Sequence, residues 1–293
     1  MENSLTNICW NESEAADLYY CLAKDPGYWN ANCHLVSLLK DKGLHSGQIV
    51  VNAGSGTGVD SQLLVEEILG TEGLVIGIDC SEPMVCHAQE EVSNSLPIEF
   101  RVGDAHRIST VVEEDPVHAI VSFNLVHLLE DLLGAMRDWY EKLSDGGIVG
   151  FNSTVYDGAI PREARSVYWK TILRVHRLAK DRFPETMGAR KKMLKHSAHY
   201  YCTVVQQAGF TDIRMEENVF TLSKEGVIAL MQIPGIGDSM MAADIPASDQ
   251  REILIQSIEE TVTESLPRKY VFITARKKEA REVFRKRQNK HKQ

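Results

Sequence analysis

Between residues 49 and 151 the chain alternates short apolar runs with amphipathic stretches. Ile49–Ala53, Leu74–Ile78, Ile98–Val102, Ala119–Phe123 and Ile148–Phe151 are rich in β-branched residues and have the length of strands. Continuous apolar character reads as strands buried on both faces. Residues 58–69, 83–92 and 131–143 instead repeat apolar positions at helical spacing, as Leu63, Leu64, Ile68 and Leu69 do on one side of the first. With two later strands, Asp212–Leu222 and Lys269–Ala275, the alternation predicts an α/β fold: a doubly wound, mostly parallel, seven-stranded sheet.

The flanks lose that rhythm. Residues 1–46 read as helical over Glu12–Lys24 and Tyr28–Lys40, split by the turn Asp25-Pro26-Gly27. Trp10, Tyr19, Tyr20, Tyr28 and Trp29 cluster here, so the segment either packs on the domain or closes over it as a lid. Beyond Asn152, helical patterns occupy 161–182, 187–208, 223–232 and 248–264, with an apolar loop at Pro234–Met241 whose Gly235–Gly237 is a candidate mobile lid. The expected organisation is an N-terminal helical lid (1–46), a ligand-binding core (47–152), a helical cap with the final strands of the same domain (153–276), and a basic tail (277–293).

Composition narrows the class. No apolar run is long enough to span a bilayer, and the N-terminus lacks the basic-then-apolar pattern of a signal peptide. A cytoplasmic location is expected. The six cysteines (Cys9, Cys21, Cys33, Cys80, Cys86, Cys202) form no Cys-x-x-Cys pair, which argues against zinc or redox work and for reduced, mostly buried thiols. The net charge is −9. Arg276–Gln293 holds nine basic and two acidic residues, leaving −16 on the rest. An acidic body argues against a nucleic-acid surface, and the tail reads as a solvated end.

The chemistry gathers at the ends of the strands. Asn52-Ala53-Gly54-Ser55-Gly56-Thr57-Gly58 closes the first strand with glycines at alternate positions. Such a turn lets backbone approach a ligand and aims the N–H groups of the next helix at it. Asp79 ends the second strand, where a carboxylate can accept both hydroxyls of a ribose. Asp104-Ala105 follows the third, placed for an adenine amino group. Together they describe a pocket for an adenosine compound. Asp79 as a helix cap with Ser81, and Asp104 as a turn aspartate, are the plainer alternatives.

These residues resemble the motifs of class I S-adenosylmethionine-dependent methyltransferases. Val51–Gly58 is similar to the first motif, Gly77–Met84 to the second, Gly103-Asp104-Ala105 to the third and Ser122–His127 to the fourth. Leu143–Gly147 and Gln207–Phe210 resemble the turns before strands five and six. The resemblance implies a Rossmann-like methyltransferase fold and S-adenosyl-L-methionine as cofactor. It implies that the backbone of Gly54, Ser55 and Gly56 passes under the methionine part, with Asn52 and Gly58 also in the cofactor site, and that Asp79 holds the ribose. Cys80 and Met84 would flank the adenine, Asp104 and Ala105 would read its edge, and Asn124 and Leu125 would line the methionine side. Two positions depart from the pattern. Asn52 stands where the family usually has an acid, and His118 opens the fourth strand, where Asp is frequent.

Methyl transfer needs an aligned nucleophile and, for a hydroxyl acceptor, a base. His127, after the fourth strand, is the candidate base, with a packing role as the alternative. Tyr156, Asp157, His196, His199 and Tyr200 are weaker candidates, and His176 reads as structural. No Pro-Pro-aromatic motif follows strand four, no paired-glutamate loop is present, and no metal-ligand set stands out. The expected acceptor is a small, partly apolar molecule lodged among Trp169, Ile172, Met187, Met193, Met231, Ile233, Ile236, Met240 and Met241. The rivals are a nicotinamide-dependent oxidoreductase and a degenerate methyltransferase fold used for binding; RNA modification would rest on the tail alone.

Overall fold

The computed structural model describes residues 13–186, 195–233, 240–242 and 244–279. Trp10, Cys9, Met187, Met193, Ile236, the Gly235–Gly237 loop and the tail from residue 280 lie outside them. The strands are β1 (Ile49–Ala53), β2 (Leu74–Asp79), β3 (Ile98–Val102), β4 (Val117–Phe123), β5 (Leu143–Ser153), β6 (Thr211–Ser223) and β7 (Ser265–Arg276). The helices are α1 (Ser13–Ala23), α2 (Pro26–Asp41), α3 (Val59–Leu64), α4 (Glu82–Glu91), α5 (Leu132–Lys142), α6 (Arg165–Arg182), α7 (Ala198–Gln207), α8 (Lys224–Gln232) and α9 (Ala247–Thr261). A π-helical turn, Val65–Leu69, continues α3.

All seven strands join one sheet in the order β3-β2-β1-β4-β5-β7-β6. β1 pairs in parallel with β2 and β4, β2 with β3, and β4 with β5. β7 runs antiparallel to β5, with Phe151 opposite Ile273. The expected doubly wound, mostly parallel seven-stranded sheet is what forms. Its centre explains the apolar runs: Val50, Val51, Ile76, Ile78, Ile120, Val121, Val149 and Phe151 are fully buried. Chain order reverses between β1 and β4, and ligands bind outside the carboxyl ends of strands at such a switch point.

Local signals set the helix boundaries. The Ser81 hydroxyl caps α4 by accepting from Met84 N–H, and Asp131 caps α5 by accepting from Gly134 N–H at 2.9 Å. α5 buries Leu132, Ala135, Met136 and Trp139, one stripe at helical spacing. α7 stops at Gly209, whose φ of 109° suits a residue without Cβ.

The chain divides into two compact units. One comprises 32–153, 196–217 and the end of the chain from 271; the other comprises the N-terminal residues to 31, then 154–195 and 218–270. In the helical unit α6 packs against α9, and α8 against α1 and α9. Asp25 knits this unit together. Its carboxylate accepts from the N–H groups of Gly27 and Tyr28 and from both the N–H and the hydroxyl of Ser223. It thereby caps the start of α2 and holds Ser223, whose own hydroxyl caps α8 by accepting from Gly226 N–H at 3.0 Å.

Two expectations need correction. Trp169 does not line a pocket; on α6 it is 59% exposed, as is its helical neighbour Leu173 at 65%. The described cysteines are free, yet none is buried. Cys21, Cys80 and Cys86 are exposed and Cys33 and Cys202 half-buried, because they fall on helix faces and strand ends away from the apolar stripes. Among the described residues no helix is long and apolar enough to cross a membrane, and no cluster of side chains is arranged to hold a metal ion.

Candidate active site

The glycine turn after β1 is held by β2. The Ile78 carbonyl accepts from the N–H groups of both Gly54 (2.7 Å) and Ser55 (2.9 Å). One step further, Gly56 N–H donates to Asp79 Oδ2 at 2.9 Å, while Ser81 N–H donates to Oδ1 at 2.9 Å. Asp79 is therefore a loop anchor and Ser81 alone is the helix cap. A carboxylate offers about four lone-pair directions. These backbone bonds leave lone-pair capacity on the carboxylate for further donors such as a pair of hydroxyls. Burial pushes the Asp79 carboxyl above its ordinary range, against the pull of the Ser81, Gly56 and Cys80 N–H groups.

The turn uses left-handed backbone at Gly54 (φ 74°), Gly56 (φ 50°) and Gly58 (φ 83°). A Cβ at Gly54 would lie 2.8 Å from the Leu125 side chain; one at Gly58 would lie 2.7 Å from Phe100. The first contact joins two predicted site residues from separate strands. Leu125 follows Asn124, which itself sits at φ 51°. A non-glycine residue there stores strain of order 1 kcal/mol. Asn124 N–H is held by the backbone carbonyl (3.2 Å) and side-chain carbonyl (3.0 Å) of Asn152 at the end of β5.

Asn152 opens a buried polar chain that the sequence reading did not find. Its Nδ2 donates to Asn32 Oδ1 on α2 at 2.8 Å, and Asn32 Nδ2 donates to Asp60 Oδ1 on α3 at 2.8 Å. Desolvation raises the Asp60 carboxyl to about 7, with the Asn32 bond opposing. The available signal was polar residues interrupting apolar patterns, Asn152 after Phe151 and Asn32 inside a helix. Asn52 is fully buried, and its Nδ2 donates to Ser61 Oγ at 2.9 Å. Asn52 Oδ1 and Ser55 Oγ are buried with no partner among the described residues. Such orphans call for a ligand or an ordered water.

The other predicted residues separate by environment. Met84 and Ala105 are buried, and Cys80 is exposed with its thiol pushed up by burial of the sulfur and by Asp79. The Ala105 carbonyl accepts from the indole N–H of buried Trp139 at 2.8 Å, a support the sequence did not reveal. Asp104 is largely exposed and accepts from the His106 N–H and ring. Burial acts against its charge, but those His106 bonds hold it below the ordinary range. His118 points to local pairing: its Nδ1 accepts from Ile49 N–H at 3.1 Å. His127 Nδ1 lies 3.1 Å from Ser153 Oγ, which fixes the ring's orientation. His196 stacks on Tyr200 at 3.8 Å, and His176 Nε2 meets the Met240 carbonyl at 3.1 Å. Tyr156 is fully buried and Asp157 exposed.

Residues 50–147 match the family described as a methyltransferase domain. An arsenite methyltransferase of Halobacterium salinarum is 30% identical over 121 residues, 41% of this chain and 30% of that protein. Among solved structures, phosphoethanolamine N-methyltransferase 2 of Haemonchus contortus, in complex with S-adenosyl-L-methionine, superposes with a TM-score of 0.55. It is 18% identical over 92% of this chain and 58% of its own. The [4+2]-cyclase SpnF superposes with a TM-score of 0.50, at 17% identity over 84% of this chain and 82% of that one. The chain thus spans less than two thirds of the length of the first two relatives. The structural likenesses speak for the fold.

Proposed function

We propose that the chain carries a class I S-adenosylmethionine-dependent methyltransferase domain and moves a methyl group from S-adenosyl-L-methionine to a small, partly apolar molecule. The observation that supports this best is the bond from Gly56 N–H to Asp79, made beside the close approach of Gly54 to Leu125. The first holds the half-buried Asp79 carboxylate where a ribose would need it. The second packs the turn so closely against Leu125 that only a residue without Cβ fits there. The orphaned Asn52 Oδ1 and Ser55 Oγ add polar atoms awaiting a partner.

In this reading the cofactor supplies an electrophilic methyl group on a sulfonium, and the protein supplies alignment. Asp79 accepts the ribose hydroxyls; Met84 and Cys80 flank the adenine, and Asp104 and Ala105 read its edge. Gly54, Ser55, Gly56 and Gly58 cradle the methionine part together with Asn52, Asn124 and Leu125. His127, oriented through Ser153, takes the proton of a hydroxyl acceptor.

Calorimetry with S-adenosylhomocysteine and with NADH tests the cofactor assignment. Wild type should bind S-adenosylhomocysteine, Asp79→Ala should bind it at least about tenfold more weakly, and NADH should give no signal. Binding of NADH alone would replace this reading with an oxidoreductase. A second reading, the same fold used without methyl transfer, draws on Asn52 and on the likeness to a cyclase. His127→Ala separates the two: methyl transfer should fall by roughly 100-fold or more while S-adenosylhomocysteine affinity holds.

A further inference from the structure

Arg268, near the start of β7 in the helical unit, is only 7% exposed. Its partners are neutral. Nε donates to Thr154 Oγ1 at 3.3 Å and Nη2 to the Thr154 carbonyl at 2.9 Å. The remaining N–H groups of the fork, including both on Nη1, meet no acceptor among the described residues. No carboxylate among those residues pairs with it. The buried acid of this unit, Asp25, is occupied by Gly27, Tyr28 and Ser223. A guanidinium withdrawn from water without a counter-charge is costly, and proteins keep such a group only when something compensates it.

The neighbours have one chemistry in common. The ionisable groups acting on Arg268 are the phenols of Tyr270, Tyr168 and Tyr156. Lys195 feels Arg268 as a second cation and is pushed below its ordinary range by burial first and then by that charge, with Asp157 opposing. Arg268 and Tyr168 also edge a narrow cavity whose other walls include Leu230, Met231, Val262 and Leu266. A planar cationic fork with phenolic donors beside it suits a small oxyanion.

We propose that Arg268 binds a carboxylate or phosphate group of a small ligand, with Tyr168 as supporting donor. The anion site does not depend on the methyltransferase reading above and is tested without turnover.

The test uses the full chain with saturating S-adenosylhomocysteine. Inorganic phosphate and acetate are titrated against chloride at matched ionic strength, and melting temperature and heat of binding are read. One or both oxyanions should raise the melting temperature beyond chloride in wild type. A response to one only supports the proposal and names the oxyanion. Arg268→Met should abolish the response. Arg268→Lys, which keeps the charge without the fork, should weaken it at least about tenfold. If the Met variant does not fold, the Lys variant decides. No response beyond chloride in wild type, a response that survives in Arg268→Met, or one unchanged in Arg268→Lys overturns the site. Failure of S-adenosylhomocysteine to bind wild type counts against the methyltransferase reading alone.

Discussion

Asn152 Nδ2 donates to Asn32 Oδ1 at 2.8 Å, and both residues are fully buried. The bond links the end of β5 to α2. Through its own carbonyl Asn152 then grips Asn124, the left-handed residue at the end of β4. Asn152→Leu would orphan the Asn32 carbonyl and remove one acceptor from Asn124 N–H. Burying those groups unpaired should destabilise the fold by about 2–4 kcal/mol. Urea unfolding measures it, and a loss below about 1 kcal/mol would mean that water replaces the amide without cost.

Asp60 lies at the far end of that chain. Its carboxyl is raised to about 7 by desolvation, so ionising it works against the fold. The sign follows from linkage: the stability tied to its protonated form is complete below the unfolded value near 4 and is lost as pH rises through about 7. Asp60→Asn keeps an acceptor for Asn32 and removes the titration. Its melting temperature should exceed wild type at pH 8 and match it near pH 4. Parallel pH profiles for the two proteins would refute the assignment.

Much of this was legible before the structure. The sheet and glycine turn were readable because strand burial and φ > 0 demand particular residue types locally, as at Val50, Val51 and Gly54. Asp79 was readable because it ends a strand. The polar chain Asp60–Asn32–Asn152 was not. Each member is an ordinary helix or strand-end residue by itself, and only the packing of α2 beside β5 and α3 makes them partners. Arg268 was hidden for a similar reason: a basic residue after Pro267 reads as surface, and its burial depends on helices distant in sequence. The exposed cysteines went the other way, since a thiol's average burial says little about one helix face.

The contact between Gly54 and Leu125 makes a test of the turn. Gly54→Ala meets both a φ of 74° and a Cβ 2.8 Å from Leu125 Cδ2. The strain should cost about 1–2 kcal/mol and weaken S-adenosylhomocysteine at least about tenfold. Leu125→Ala alone shortens the obstructing side chain. In the double variant part of the affinity should return, because the clash is relieved while the backbone strain stays. Strict additivity of the two losses would show that the side chains do not meet in the bound protein.

Asn52 is where charge and packing oppose one another. Its side chain is fully buried, Nδ2 is engaged by Ser61, and Oδ1 has no partner among the described residues. In Asn52→Asp the Ser61 hydroxyl can turn to donate, so that bond survives the exchange. The new carboxylate is otherwise desolvated, and the ligand-free protein should melt lower at pH 8 than wild type. A bound ligand carrying an ammonium group would offset that cost. S-adenosylhomocysteine should therefore bind severalfold more tightly to Asn52→Asp, with the gain shrinking as pH falls and the carboxyl protonates. Calorimetry at pH 8 and pH 5.5 reads both effects. Equal affinity of the two proteins at pH 8 would show that this turn holds its ligand through backbone and Asp79 alone, and that the missing charge at position 52 is neutral.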